Sequence, residues 1–386
     1  MRLILKFIFI FTLIELFIGG GGRVFELGPL TLRIILFFIN IVFVLVLYIY
    51  KRKIPKYVIV VLSIAIIVLI LNSLIGLVNG AEISFIIEDV KPLSYFFSIL
   101  FFSYYIDSTK RIQLIISILK RTSFYIALVY IFIQILFYFN KLDFSVFYSY
   151  VNTEISSSDF FFRGESGLFF YKGFFFMVVG LIFWIHCSNS NKKLVPIITI
   201  IIAMILSGTR GFIVIFGLIY ALYYGIPLLL RLNLKILFLT TVVLLLSLNF
   251  FSNADMGNKV ISDSVRFLQI EQVFKKINPV SFLIGHGFGI GVPIREVHFE
   301  IAYLEVFHKQ GVIGLFLWII FFIVLYNEFK MERNQYEIRK AFFLSVVFTF
   351  LLSFTNPFFN NPIGLSLLLI SWVSFKVLNK NSMDVS

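Results

Sequence analysis

Apolar positions along this chain gather into runs of about 17–25 residues, most of them bounded by short clusters of charge or by glycine. Runs of that length match the hydrocarbon thickness of a bilayer. Inside lipid the backbone finds no water to bond, so each run must close its own hydrogen bonds as a helix. The pattern places spans near 3–18, 30–50, 57–77, 93–106, 122–139, 166–186, 194–207, 211–230, 234–251, 311–327, 341–355 and 363–378. The fold class that follows is an all-α polytopic membrane protein of about twelve transmembrane helices, one integral membrane domain over 1–386.

The polar clusters then orient the spans. KRKIPK (51–56), TKR (109–111), KR (120–121), NKK (191–193), RLNLK (231–235) and KMERNQYEIRK (330–340) all fall on one side, together with both termini. That side carries 20 of the 33 lysines and arginines but only 5 of the 20 acids, which marks it as cytoplasmic. The net charge of +13 is therefore a topology signal, and nucleic acid is not needed to explain it. Composition agrees: the chain is 60% hydrophobic and only 14% charged, where a soluble domain is nearer to a quarter charged. A single cysteine, Cys187, excludes an internal disulfide. The opening MRLILKFIFIFTLIELFIGGGG reads as a retained first helix, because Glu15 interrupts its apolar region and no small-residue cleavage site follows.

Two outer segments, 140–165 and 252–310, are long where all other connections are short, and long connections in a compact protein tend to carry function. The second holds FLQIEQVF (267–274), the turn-rich GHGFGIGVP (285–293) and EVHFEIAYLEVFHKQG (296–311). The last of these reads as a short amphipathic helix, led by His298, lying at the outer face before a span that begins at Gly311. GHGFGIG lacks a preceding strand and the spacing of a dinucleotide fingerprint, so it reads as a flexible turn that lets the loop fold back.

Charge at the outer mouths of the helices supplies candidate chemistry. SGTRGF (207–212) is a tight outer turn between two spans, with Arg210 between glycines that let something large approach. The alternative is an arginine reaching for headgroup phosphate. FFRGESGLFF (161–170) has the same placement, with Arg163 beside glycine and Glu165 two residues on, either as a local ion pair or as an acid. Arg266 and Arg295 lie in the second long segment. Guanidinium groups suit bidentate contact with phosphate oxygens, as a lipid-linked pyrophosphate at the outer face would require. Of four histidines, His186 lies near a cytoplasmic helix end and reads as structural, while His286, His298 and His308 are outer. No two stand at i, i+4 and no thiol is near, so the pattern argues against zinc. His298 fits a proton-handling group, since imidazole titrates near neutral pH and can accept a sugar hydroxyl proton.

Taken in order, these pieces resemble a known family. Arg163, Gly164 and Gly167 precede a middle span, S-G-T-R-G lies between two short spans, and G-H-G-F-G is followed by His298, Tyr303, Leu304, Gly311 and Gly314 as H-x4-Y-L-x6-G-x2-G. Over roughly 160–320 by motif, and over the whole chain by helix count and loop placement, this resembles the O-antigen polymerase (Wzy) and O-antigen ligase superfamily of bacterial inner-membrane glycosyltransferases.

The resemblance implies a metal-independent GT-C-type glycosyltransferase without cofactor, with an outward-facing cavity beside a large helical outer loop. Its donor would be an oligosaccharide on undecaprenyl pyrophosphate. A polymerase passes that glycan to the terminal sugar of another lipid-linked repeat unit, in O-antigen or capsule, whereas a ligase passes it to lipid A core. Carried over residue by residue, Arg163 and Arg210 would hold the pyrophosphate and His298 the acceptor hydroxyl. Arg266 and Arg295 join the pyrophosphate set on charge and placement alone, Glu165 and Tyr303 are accessory candidates, and a chain-length regulator protein is a further partner. The chemistry is consistent: cations neutralise a diphosphate leaving group, the hydroxyl needs a base, and the donor bond supplies the energy without a nucleotide site. The rival from another class is a transporter or flippase of lipid-linked sugars, for which inverted repeats and broken midplane helices would be expected. Unusual charges and long loops on one face favour one-sided chemistry.

Overall fold

The structure, a computed structural model, describes residues 2–22, 26–27, 30–51, 54–156, 159–162, 167–188, 193–229, 259–331 and 335–383. Helices dominate them, in the order α1 (Arg2–Ile18), α2 (Leu32–Lys51), α3 (Lys56–Val78), α4 (Ile83–Ser94), α5 (Ser98–Tyr105), α6 (Thr109–Tyr138), α7 (Phe144–Tyr150), α8 (Phe174–His186), α9 (Leu194–Leu206) and α10 (Arg210–Leu229). After these come α11 (Lys259–Lys276), α12 (Pro279–Ile284), α13 (Ala302–Lys330), α14 (Tyr336–Leu352) and α15 (Pro362–Met383). Two small antiparallel hairpins interrupt them, β1 (Glu26–Leu27) with β2 (Leu30–Thr31) and β3 (Phe160–Phe162) with β4 (Phe169–Tyr171).

Among the described residues five helices are long and apolar enough to cross a bilayer: Leu32–Ile49, Lys56–Val78, Thr109–Tyr138, Ala302–Lys330 and Pro362–Lys380. Phe174–His186, Leu194–Leu206 and Arg210–Tyr224 are apolar but shorter. The chain is thus a polytopic helical membrane protein, and the expected span 234–251 lies outside the described residues. Its lipid-facing character is plain on α3, where Ile59, Val60, Ile64, Ile67, Ile70, Leu71 and Leu74 are all exposed although apolar. At the other extreme α8 is buried almost throughout, and Gly180 lets α6 approach so closely that a Cβ there would meet Ser123 Oγ at 2.2 Å.

Two arginines buried inside this apolar frame are paired. Arg33 donates through Nη1 to the Gly20 carbonyl at 2.6 Å and pairs with Glu15 at 3.0 Å, so the glutamate that interrupts α1 anchors the glycine turn that follows. Arg339, fully buried, donates to Asn379 Oδ1 at 2.7 Å and caps the end of α13 through the Phe329 carbonyl at 2.7 Å.

Several boundaries differ from those read off the pattern. α6 starts at Thr109 rather than near 122, because TKRIQLIISILK keeps apolar residues on one helical face that packs inward through Ile112, Ile115, Ile116 and Leu119. The span expected at 93–106 is preceded by α4 and joined to it through a 3₁₀ turn over Tyr95–Phe97. The amphipathic helix expected over 297–309 begins only at Ala302, and it is buried through Ala302, Leu304, Glu305, Val306, His308, Lys309 and Gln310 rather than lying on a surface. It breaks at Gly311, whose φ of 65° admits glycine readily, and α13 then continues as a span.

Candidate active site

The loop His286–Gly291 is a wedge between α3, α4 and the start of α13. His286 and Gly287 donate their amides to the carbonyls of His308 and Lys309, and Phe288 donates to Asn72 of α3. A Cβ on Gly287 would meet Gly76 N at 2.1 Å, and one on Gly76 would meet Phe288 O at 2.0 Å. Backbone thus lies against backbone, which corrects the expectation of a flexible turn: these glycines are required by contact. His286 and His308 face each other in the wedge with ring centroids 4.6 Å apart. Burial, with the Lys276 charge behind it, pushes the His286 imidazole below its usual range, so it is neutral at pH 7.

Behind the wedge is a charge cluster with almost no access to solvent. Lys309 Nζ lies 2.6 Å from Asp89 Oδ1 and 2.7 Å from Glu305 Oε1. The second oxygen of Asp89 accepts the Gly289 amide at 2.8 Å, and that of Glu305 accepts Asn360 Nδ2 at 2.9 Å. Both carboxylates and the ammonium are therefore satisfied, as buried charges must be. Ligand atoms of Asp89, Glu305 and His298 all lie within 4.8 Å of one another, a spacing that could suit a cation. The donor set argues otherwise, since the Lys309 ammonium already bonds to both acids.

His298 stands at the open edge of this cluster. Its side chain is about half exposed, and Nε2 lies 3.7 Å from Glu88 Oε2. Its φ of 53° is unusual for a residue with a Cβ. The conformation is held from both sides, as Gln272 Oε1 accepts the Ile294 amide at 3.0 Å and Gln269 Oε1 accepts the Glu300 amide at 3.3 Å. This outward anchoring to α11 explains why Val297–Ile301 does not join the helix. The hydrogen bond from Lys91, with His298 adding to it, holds the Glu88 carboxyl below the usual carboxylate range, so it is anionic at neutral pH.

Glu300 pairs with two of the expected arginines, Arg266 Nε at 3.0 Å and Arg295 Nη2 at 3.2 Å. Arg266 also donates to the Thr355 carbonyl at 3.4 Å. Thr355 Oγ1 would lie 3.4 Å from a Cβ on Gly211, so the N-terminus of α10 meets the same loop. Arg210 is the first residue of α10, after a turn in which Gly208 has a φ of 60°. Its Nε is buried and has no hydrogen-bond partner among the described residues. Tyr303 packs between Phe354 and Phe359 and donates to the Phe350 carbonyl at 2.9 Å, which ties α13 to that loop.

The structure thus collects Arg210, Arg266 and Arg295, with Glu300, His298 and Tyr303, around the segments 353–361 and 294–305. Arg163 and Glu165 lie outside the described residues, beyond β3 in the β3–β4 connection. Sequence reasoning missed Glu88, Asp89, Lys309 and the SFTNPFFNNP segment (353–362). A signal for the last was present: asparagines before prolines between two apolar runs mark a polar turn.

No protein-family model matches the chain. Over 389 aligned residues it is 30% identical to an O-antigen polymerase of Shigella flexneri, an alignment that covers 95% of this chain and 94% of that protein. Similarity so nearly end to end shows the family: the chain belongs to the O-antigen polymerases.

Proposed function

We propose that the chain polymerises a surface polysaccharide, O-antigen or capsule, at the outer face of the bacterial inner membrane, with both termini cytoplasmic. The oxygen of the acceptor's terminal sugar hydroxyl attacks the anomeric carbon of a glycan linked to undecaprenyl pyrophosphate. The bond from that carbon to the pyrophosphate oxygen breaks, undecaprenyl pyrophosphate leaves, and the hydroxyl proton passes to His298. The end-to-end similarity to a polymerase favours this over ligation to lipid A core.

One observation carries the reading: Arg210 opens a 20-residue helix, and among the described residues its buried Nε has no hydrogen-bond partner. A guanidinium with unused donors, beside the positive end of a helix dipole, is suited to a diphosphate on which charge develops. Arg266 and Arg295 share Glu300 and would have to exchange it for phosphate, which ranks them after Arg210. Arg163 completes the set by motif. The Lys309 ammonium between Asp89 and Glu305 supports catalysis without a metal, because it already supplies the positive charge that a cation would bring.

The test uses the purified full-length protein and the lipid-linked repeat units that accumulate in cells lacking it, with product length read on a gel. Arg210→Ala should abolish elongation at normal membrane abundance, whereas Arg210→Lys should restore only part, since the two-pronged fork is lost. Normal chain length from Arg210→Ala would make this arginine a headgroup contact. Elongation lost on adding EDTA would refute the metal-free step.

A further inference from the structure

A sugar hydroxyl is a weak nucleophile, and a histidine that takes its proton works best when a third group fixes the ring and its tautomer. Asp89 and Glu305 are near His298, but their oxygens are already taken by Lys309, which bonds to both, and by the Gly289 amide and Asn360. Glu88 differs. It projects from α4 beside Asp89, its Oε1 takes Lys91 at 2.5 Å, and its Oε2 faces His298 Nε2 at 3.7 Å. The rest of this corner is fixed. Asp89 is tied to Lys309 and to the Gly289 amide, which sets the position of α4, and Gln269 and Gln272 set the strand of backbone that carries His298. Only the end of an exposed glutamate side chain must turn to close the last gap, and catalytic hydrogen bonds are often long before substrate binds.

We propose that Glu88 is the positioning residue for His298: its carboxylate accepts the Nε2 proton, leaving Nδ1 to take the proton of the acceptor hydroxyl. This rests on His298 being the base. In the step itself the new glycosidic C–O bond forms as the bond to pyrophosphate breaks, the hydroxyl proton moves to Nδ1, and Glu88 balances the imidazolium until that proton passes to water. The φ of 53° at His298 fits a side chain held for a purpose, since strain of this kind persists only where the surroundings enforce it. Glu88 comes from the first quarter of the chain and His298 from the last third, so the motif that contains the histidine does not contain its partner.

The experiment is a double-mutant cycle on the full-length protein in detergent, measuring single-turnover elongation of the same lipid-linked repeat units and, separately, binding of undecaprenyl pyrophosphate. Glu88→Gln is expected to slow elongation about tenfold or more without weakening that binding, and Glu88→Asp to recover part of the rate. His298→Ala should cost about 10²–10⁴-fold. Adding Glu88→Gln to His298→Ala should cost nothing further, because a group that acts through the imidazole has nothing left to act on. Losses that multiply in the double variant would make Glu88 a structural residue and overturn the inference, as would full activity of Glu88→Gln beside an inactive His298→Ala. Full activity of His298→Ala would remove the base and its partner together.

Discussion

Lys309 shows how a single residue decides whether one corner of this protein can form. With its side chain 3% exposed, it is tolerable only because Asp89 and Glu305 meet it, and they are tolerable only because it meets them. Lys309→Ala would leave two acids facing each other out of water, which should cost about 3–5 kcal/mol and lower the thermal midpoint in detergent. Combining it with Asp89→Asn and Glu305→Gln should return much of that loss, since neutral groups of similar shape carry no burial penalty for charge. An unchanged midpoint for Lys309→Ala alone would mean that water reaches the cluster. Glu88, one residue from Asp89, is free of this constraint, being 40% exposed, and is available for chemistry.

At the scale of elements, the wedge and helix α13 form one unit. The Gly285 amide caps α12, the amides of His286 and Gly287 bond to carbonyls of α13, and Phe288 fills the space between α3 and the cluster. Gly287→Ala should therefore push α3 away from the loop, lower the thermal midpoint and abolish elongation. Gly217→Ala is the control: among the described residues nothing lies within 4 Å of its Cβ position on α10, so gaining helix propensity should stabilise by up to about 1 kcal/mol. Similar effects of the two substitutions on the midpoint would show that the wedge is not packed as described. The sequence suggested glycine as a hinge here. What it hid was a facing glycine, Gly76, more than two hundred residues earlier, whose lack of a side chain makes the contact feasible.

For the whole molecule, orientation in the membrane is the property on which the proposed chemistry depends. Reporter fusions at Asn152 and Asn258 should be active on the periplasmic side, and fusions at Asn191 and Asn334 on the cytoplasmic side. The reverse pattern would put Arg210 and His298 on the wrong face for a lipid-linked donor. By itself the sequence determined the helical membrane class and the glycine turn that carries Arg210, because apolar runs in lipid must satisfy their own backbone. These are local properties, legible residue by residue. The tertiary structure alone decided which charges meet. Asp89 finds Lys309 across 220 residues, and Thr355 links Arg266 to the start of α10. It also decided that His298 precedes its helix rather than leading it, because glutamines of α11 hold the neighbouring amides. Such pairings depend on which helices pack together, and no spacing along the chain encodes that.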